Sequence, residues 1–205
     1  MLEVLSPELR AYQEQKLADY QAANAEEETG SLVFAGDSIV EFFPLKKYLG
    51  RHRKLINRGI AGTDTIWLSE YISCQVSPLL PSKLFLLIGT NDLGLGRTLP
   101  SIVENLSDIV AKLREDSIGT EIYLLSVLPV NEAPIYQDRV KVRRNAAIRE
   151  LNQELSSLPG VTTIDLYSRL LDDSGNLAEN YTTDGLHLSQ EGYARLAEFL
   201  LPYLD

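Results

Sequence analysis

Residue types that can cooperate in acyl transfer occur at two places far apart in the chain. Ser38 lies in the segment Phe-Ala-Gly-Asp-Ser-Ile at positions 34–39, and Asp184 and His187 lie in Asp-Gly-Leu-His near the other end. A serine hydroxyl becomes an effective nucleophile when an imidazole takes its proton and a carboxylate orients that imidazole. Acyl transfer is therefore the first chemistry that the sequence indicates.

Each motif alone also has a purely structural interpretation. Gly-Asp-Ser is a common turn, and Asp-x-x-His can be an Asx turn followed by a surface histidine. His187 is nevertheless the better base candidate, because the only other histidine, His52, lies in a basic stretch. Asp184 precedes His187 by three positions, in a loop leading into a helix that Ser189 can cap, so the carboxylate can reach the imidazole. The two motifs therefore strengthen each other.

Acyl transfer also requires hydrogen-bond donors where the carbonyl oxygen becomes negative. Gly62, in the segment 57–65, can offer a backbone N–H with no side chain in the way. Asn91, in Gly-Thr-Asn-Asp at 89–92, can offer a side-chain amide. Either residue alone is more typical of a turn.

Together, these four segments resemble the SGNH hydrolase superfamily, the GDSL esterases and lipases, from residue 31 to the C-terminus. The signature Ser, Gly, Asn and His correspond to Ser38, Gly62, Asn91 and His187, in the expected order. Ile39 replaces the leucine of the first block, a conservative apolar change. The segments 57–64 and 125–129 look like those of the intracellular platelet-activating-factor acetylhydrolase catalytic subunits and their bacterial relatives.

The resemblance implies a role for each site residue. Ser38 would be the nucleophile, His187 the base and then the acid, and Asp184 the orienting carboxylate. The backbone N–H groups of Ser38 and Gly62 and the amide of Asn91 would form the oxyanion hole. Asp37 and Asp92 are interpreted as acceptors that brace their loops. Four residues are candidates for contacts with the substrate: Trp67, Leu93, Tyr136 and Leu186. For Trp67, a place in the hydrophobic core is favoured over contact with the substrate.

The elements that must position these residues follow from the hydrophobic pattern. Ser6 and Pro7 predict the start of a helix that continues to about residue 25. Several of the strand-like runs are apolar throughout, as in strands of a parallel sheet covered on both faces. The strands are expected at 31–35, 54–57, 84–88, 121–126 and 161–165. Helices are expected between and after them, at 65–76, 101–115, 139–155 and 190–200.

This alternation predicts an α/β fold, a three-layer α/β/α flavodoxin-like architecture with a five-stranded, mainly parallel, doubly wound sheet. In such sheets the ligand site lies beyond the carboxyl ends of the strands, where Ser38, Gly62 and Asn91 fall. The segment 129–138, with two prolines, is expected to be irregular and to form one wall of the pocket. No linker or repeat divides the chain, so we expect one domain over residues 1–205.

Composition limits the partners. The chain has a net charge of −10 and a pI near 4.7, which disfavours binding to nucleic acid or to an anionic membrane. Three basic clusters, at 46–47, 51–54 and 139–144, are expected to be solvated faces. A small-molecule ester is the expected partner, and the resemblance makes a homodimer an assembly to test. No metal-ligand cluster is evident, and a serine mechanism requires no cofactor, so none is expected.

The expected compartment is the cytoplasm. A single cysteine, Cys74, excludes an intrachain disulfide, and the first residues lack the pattern of a secretory signal. No run of about 18 apolar residues is present, so stable membrane insertion is not expected.

Several other functions are compatible with parts of the sequence. A carbohydrate O-acetylesterase or a thioesterase would use the same residues. A non-catalytic flavodoxin-like domain would hold FMN or phosphate in the loop after the first strand, but that loop carries two acids and one hydroxyl, which suit phosphate poorly. A usual α/β-hydrolase is disfavoured because no Gly-x-Ser-x-Gly occurs. An inactive SGNH-like binding module is disfavoured by the complete set of catalytic residue types.

Overall fold

One five-stranded sheet organises the computed structural model, which describes residues 1–205. All neighbouring strands pair in parallel, in the order β2-β1-β3-β4-β5. This is the flavodoxin-like order of a doubly wound sheet. The strands are β1 (Leu32–Gly36), β2 (Leu55–Gly59), β3 (Lys83–Leu87), β4 (Glu121–Leu125) and β5 (Thr162–Ile164). The predicted fold class and the five strands are confirmed.

Five of the nine α-helices have at least eleven residues, and all five were predicted from the sequence. They are α1 (Pro7–Asn24), α4 (Thr65–Gln75), α6 (Leu99–Asp116), α8 (Asn145–Leu155) and α9 (Gln190–Leu200). Four short helices were not predicted: α2 (Ser38–Glu41), α3 (Leu45–Tyr48), α5 (Thr90–Gly94) and α7 (Gln137–Val140). Single 3₁₀ turns occur at Ser77–Leu79, Pro134–Tyr136, Glu179–Tyr181 and Leu201–Tyr203.

The sheet separates two hydrophobic cores because successive side chains of a strand point to opposite faces. In β1, Val33 and Ala35 belong to a cluster of 27 buried residues that includes side chains of α4, α6 and α8. Phe34 belongs to a cluster of 22 on the other face, beneath α3 and α9. There Phe34 stacks on Phe85 at 4.6 Å between ring centroids. Both faces of the sheet are therefore covered, which explains the apolar strands.

The helix expected at 139–155 is wrong at its start. Residues 137–140 form the separate helix α7, and Lys141 has a φ of 55°, a left-handed conformation that ends it. Helix α8 begins only at Asn145. The segment 129–138 is also more ordered than expected, because it contains the 3₁₀ turn Pro134–Tyr136 and the first residues of α7.

Burial of Arg143 contradicts the expectation that residues 139–144 form a solvated face. Its side chain has no exposed surface, whereas Arg139 and Arg144 are half exposed. The chain turns between α7 and α8 at this point, so neighbouring residues face opposite directions. None of the helices combines the length and hydropathy that crossing a lipid bilayer requires.

Candidate active site

Ser38 is presented at the carboxyl end of strand β1, between β2 and β3 in the sheet. It is the first residue of the short helix α2, and Asp37 caps that helix by accepting a hydrogen bond from the Ile39 N–H at 2.9 Å. The turn brings the chain close to β3, since a Cβ on Gly36 would lie 1.9 Å from the Leu87 carbonyl oxygen. Only glycine permits so close an approach. The turn places Ser38 just beyond the carboxyl end of the strand.

His187 meets Ser38 although 149 positions separate them. The Ser38 Oγ lies 2.9 Å from His187 Nε2, and His187 Nδ1 lies 2.8 Å from Asp184 Oδ2. The three groups thus form a continuous hydrogen-bonded row. The spacing in Asp-x-x-His brings carboxylate and imidazole together as the sequence predicted, and Ser189 caps α9 by accepting from the Gly192 N–H at 3.1 Å.

Asp184 is held as an anion. Burial alone would raise the pKa of its carboxyl, but hydrogen bonds from the His187 ring and from the backbone N–H groups of His187 and Leu186 hold that pKa far below its ordinary value. Arg139, more than half exposed, places its Nε 3.0 Å from Asp184 Oδ2. A fixed anion beside Nδ1 selects the tautomer in which Nε2 can accept a proton from Ser38.

Gly62 lies in the loop after β2, packed beneath helix α1. Its φ of 77° is left-handed, and a Cβ there would lie 2.7 Å from a Leu9 methyl group. The loop is fixed on both sides of Ala61, whose N–H donates to Glu41 at 2.6 Å and whose carbonyl accepts from Gln13 at 3.0 Å. The backbone N–H groups of Ser38 and Gly62 have no acceptor within the protein.

Asn91 lies on α5, after β3, and contacts the Gly62 loop. Its Nδ2 donates to the Thr63 carbonyl at 2.9 Å, and its Oδ1 accepts from Arg143 at 3.1 Å. The structure thus brings Ser38, Gly62 and Asn91 to one edge of the sheet, after three adjacent strands. These residues carry two backbone N–H donors and one side-chain amide donor, which are the groups that an oxyanion hole requires.

Asp37 and Asp92 brace loops, as predicted. Asp92 accepts from both the N–H and the hydroxyl of Thr65, at 3.0 and 2.5 Å, and so joins α5 to the start of α4. Burial raises the pKa of Asp92 to about 7 and that of Asp37 to about 6. Neither carboxyl belongs to the row that links Ser38, His187 and Asp184.

The four candidates for substrate contacts lie in different environments. Leu93 and Leu186 are buried in the larger core cluster. Tyr136 is half-buried and packs on that cluster and on Gly185, beside Asp184. Trp67 is half-buried on α4, with its ring 4.5 Å from that of Tyr71. Contact of any of these residues with substrate stays a prediction.

Sequence reasoning missed several residues around the site. Phe42, 53% exposed, has its ring centroid 6.2 Å from that of His187. Three charged side chains also contact the site: Glu41 accepts from the Ala61 N–H, Arg139 pairs with Asp184, and Arg143 donates to Asn91. Glu41 could have been suspected from its place on the predicted nucleophile loop, but no local pattern distinguishes Arg143 from the exposed arginines beside it.

The fold is a flavodoxin-like α/β fold, and the hydroxyl, imidazole and carboxylate in contact at its edge are the groups that a serine hydrolase uses. The model of the GDSL-like lipase/acylhydrolase family matches residues 34–195. The chain belongs to that family and is an ester-hydrolysing enzyme.

Three relatives illustrate the range of similar proteins. A structure from Streptococcus pneumonia, described as that of a platelet activating factor, is 38% identical to this chain. The two superpose with a TM-score of 0.92 over 96% of this chain and 94% of that one. A GDSL esterase/lipase of rice, WDL1, is 27% identical over 84% of this chain and 76% of its own length. An N-acylneuraminate cytidylyltransferase of Escherichia coli is 28% identical over 84% of this chain, but the chain spans only 40% of that enzyme's length.

Proposed function

We propose that the protein is a serine esterase that cleaves short-chain carboxylic esters, such as the acetyl ester of a lipid or small molecule. The observation that carries the proposal is the row of hydrogen bonds from Ser38 through His187 to Asp184, with distances of 2.9 and 2.8 Å. A flavodoxin-like binding domain would not require a base aligned on this hydroxyl.

In the first half-reaction, Ser38 Oγ attacks the ester carbonyl carbon while its proton passes to His187 Nε2. Asp184 stabilises the imidazolium that forms. The carbonyl oxygen becomes an oxyanion, which accepts hydrogen bonds from the N–H groups of Ser38 and Gly62 and from the Asn91 amide. The bond to the alcohol oxygen then breaks, and His187 returns the proton to the alcohol. This leaves an acyl group on Ser38.

In the second half-reaction, water attacks the acyl-enzyme. His187 takes a proton from the water, the carboxylic acid is released, and Ser38 Oγ recovers its proton. No metal or cofactor takes part in this scheme, and every proton transfer uses a group already placed in the row.

The preference for a short acyl group is what the resemblance to the platelet-activating-factor acetylhydrolases implies. It is supported by the 38% identical structure from Streptococcus pneumonia that is named for platelet activating factor. A carbohydrate O-acetylesterase is a second candidate, supported by the relative that is named for N-acylneuraminate. A thioesterase would use the same mechanism.

Kinetics with p-nitrophenyl esters of increasing acyl length, beside acetylated sugars, test the proposal. We expect acetate to be the best acyl group and Ser38→Ala to lose nearly all activity while remaining folded by circular dichroism. Adding His187→Ala should cost little more, because the residues of such a row act as a unit. Near wild-type hydrolysis by Ser38→Ala would refute the mechanism, whereas a preference for long acyl chains would refute only the proposed substrate class.

A further inference from the structure

We propose that Arg143 is a positioning residue that fixes the Asn91 amide in the orientation an oxyanion requires, and that Glu3 in turn holds Arg143. This inference rests on the proposed function, because it assigns a role to a residue behind the oxyanion hole. Arg143 lies in the turn before α8, outside every segment that carries the catalytic motifs.

Arg143 is the largest side chain that is fully buried in the protein. Its Nε donates to the Thr90 carbonyl at 2.7 Å, and one terminal nitrogen donates to Asn91 Oδ1 at 3.1 Å. The guanidinium therefore contacts both the backbone and the side chain of α5. Because its donors have a rigid planar arrangement, two bonds to neighbouring residues fix the position of the Asn91 side chain relative to its own backbone.

The partners of Asn91 allow only one orientation of its amide. A guanidinium can only donate, so it must face Oδ1, and the Thr63 carbonyl can only accept, so it must face Nδ2. The Thr63 bond uses one of the two hydrogens on Nδ2. The other hydrogen has no acceptor within the protein and remains for the oxyanion. The positive charge of the Arg143 guanidinium, which lies beside Oδ1, also polarises the amide and strengthens donation by Nδ2.

A buried cation requires a counter-charge, and Glu3 supplies it from the N-terminal segment. The Glu3 carboxylate binds the terminal nitrogen of Arg143 that contacts Asn91, and it lies 3.5 Å from Lys141 Nζ. Although burial alone would raise the pKa of Glu3, the charges of Arg143 and Lys141 keep that pKa below its ordinary value. The Glu3 N–H also donates to the Gly94 carbonyl at 2.8 Å, at the end of α5.

A double-mutant cycle with p-nitrophenyl acetate tests the proposal. Arg143→Lys keeps the charge but not the planar pair of donors. We expect it to lower kcat by about 10- to 100-fold, which is at most the effect of removing one oxyanion donor. KM should change by less than about twofold. In an Asn91→Ala background the same change should lower kcat by less than about twofold, because Arg143 acts through the amide. Arg149→Lys, on the exposed side of α8, is the matched control and should resemble the wild type.

Glu3→Gln provides a second cycle if Arg143→Lys folds poorly. We expect about a two- to fivefold loss in kcat, the size of a partly exposed ion pair, and no loss in the Asn91→Ala background. An equal loss of kcat in the wild-type and Asn91→Ala backgrounds, measured with whichever variant folds, would overturn the inference. A purely structural role would lower activity regardless of Asn91. Ser38→Ala, measured in the same assay, separates the two hypotheses: hydrolysis independent of Ser38 would refute the proposed function and this inference with it.

Discussion

At the scale of single residues, the site depends on which neighbours hold its polar groups and how exposed those neighbours are. The Asp184 carboxylate has four hydrogen-bonding or ionic contacts, within its loop and from Arg139. Three of them come from His187 and Leu186, which are close in sequence. The orientation of the imidazole should therefore depend on the carboxylate far more than on Arg139.

We expect Arg139→Ala to lower kcat/KM by less than about fivefold, because ion pairs of exposed side chains contribute at most about 1 kcal/mol. Asp184→Ala, the matched variant of its partner, should cost about 1,000-fold or more, since it leaves the imidazole without its orienting anion. Kinetics with p-nitrophenyl acetate measure both. Comparable losses in the two variants would mean that Arg139, and not the loop, fixes Asp184.

The residues of the site could be predicted to different extents. Ser38, Asp184 and His187 could be proposed from the sequence because their types and spacing already indicate acid–base chemistry, and Gly62 and Asn91 because they follow strands. Arg143 and Glu3 could not be found in this way. Their roles depend on which side chains become buried together when distant segments pack, and charge patterning alone predicted Arg143 to be solvated.

At the scale of elements, the site is assembled from loops and short helices that link the strand ends. Helices α2 and α5 have only four and five residues, too few for a helical pattern in the sequence, so they were not predicted. The long helices and the strands were predicted because their apolar patterns are extended. Helix α8 was predicted to start too early, because the apolar pattern gave no indication of the left-handed residue Lys141.

The buried contact between α5 and α4 should make stability depend on pH. Because the pKa of Asp92 is raised from 3.8 to about 7, the folded state retains a proton that the unfolded state loses. The stability from this group is full below about pH 4 and is lost as the pH rises through about 7. Asp37, with a pKa of about 6, acts in the same direction.

We therefore expect the free energy of unfolding in urea to fall less between pH 5 and pH 8 in Asp92→Asn than in the wild type. Asp173→Asn, an exposed change of the same type, should keep the wild-type slope. An unchanged slope in Asp92→Asn would show that Asp92 is already ionised in the folded protein at pH 5.

At the scale of the whole molecule, a single sheet carries both cores and all three strand ends of the site. We infer that residues 1–205 form one domain, since the smaller core includes side chains from all five strands and the larger core includes side chains from four strands and from helices α4, α6 and α8. The fold class was predictable because a parallel sheet with covered faces leaves apolar runs. The packing of the N-terminal segment against the loop that carries Gly62 could not be predicted, because it depends on individual contacts such as that of Gln13 with Ala61.

Covalent labelling tests the central claim, that Ser38 is the nucleophile, most directly. The protein would be treated with diethyl p-nitrophenyl phosphate, which transfers its phosphoryl group to an activated serine, and the site of modification mapped by mass spectrometry of peptides. We predict one adduct per chain, on Ser38, formed in step with loss of esterase activity and greatly slowed by His187→Ala. Loss of activity with the label on another residue, or full activity in protein labelled at Ser38, would contradict the account.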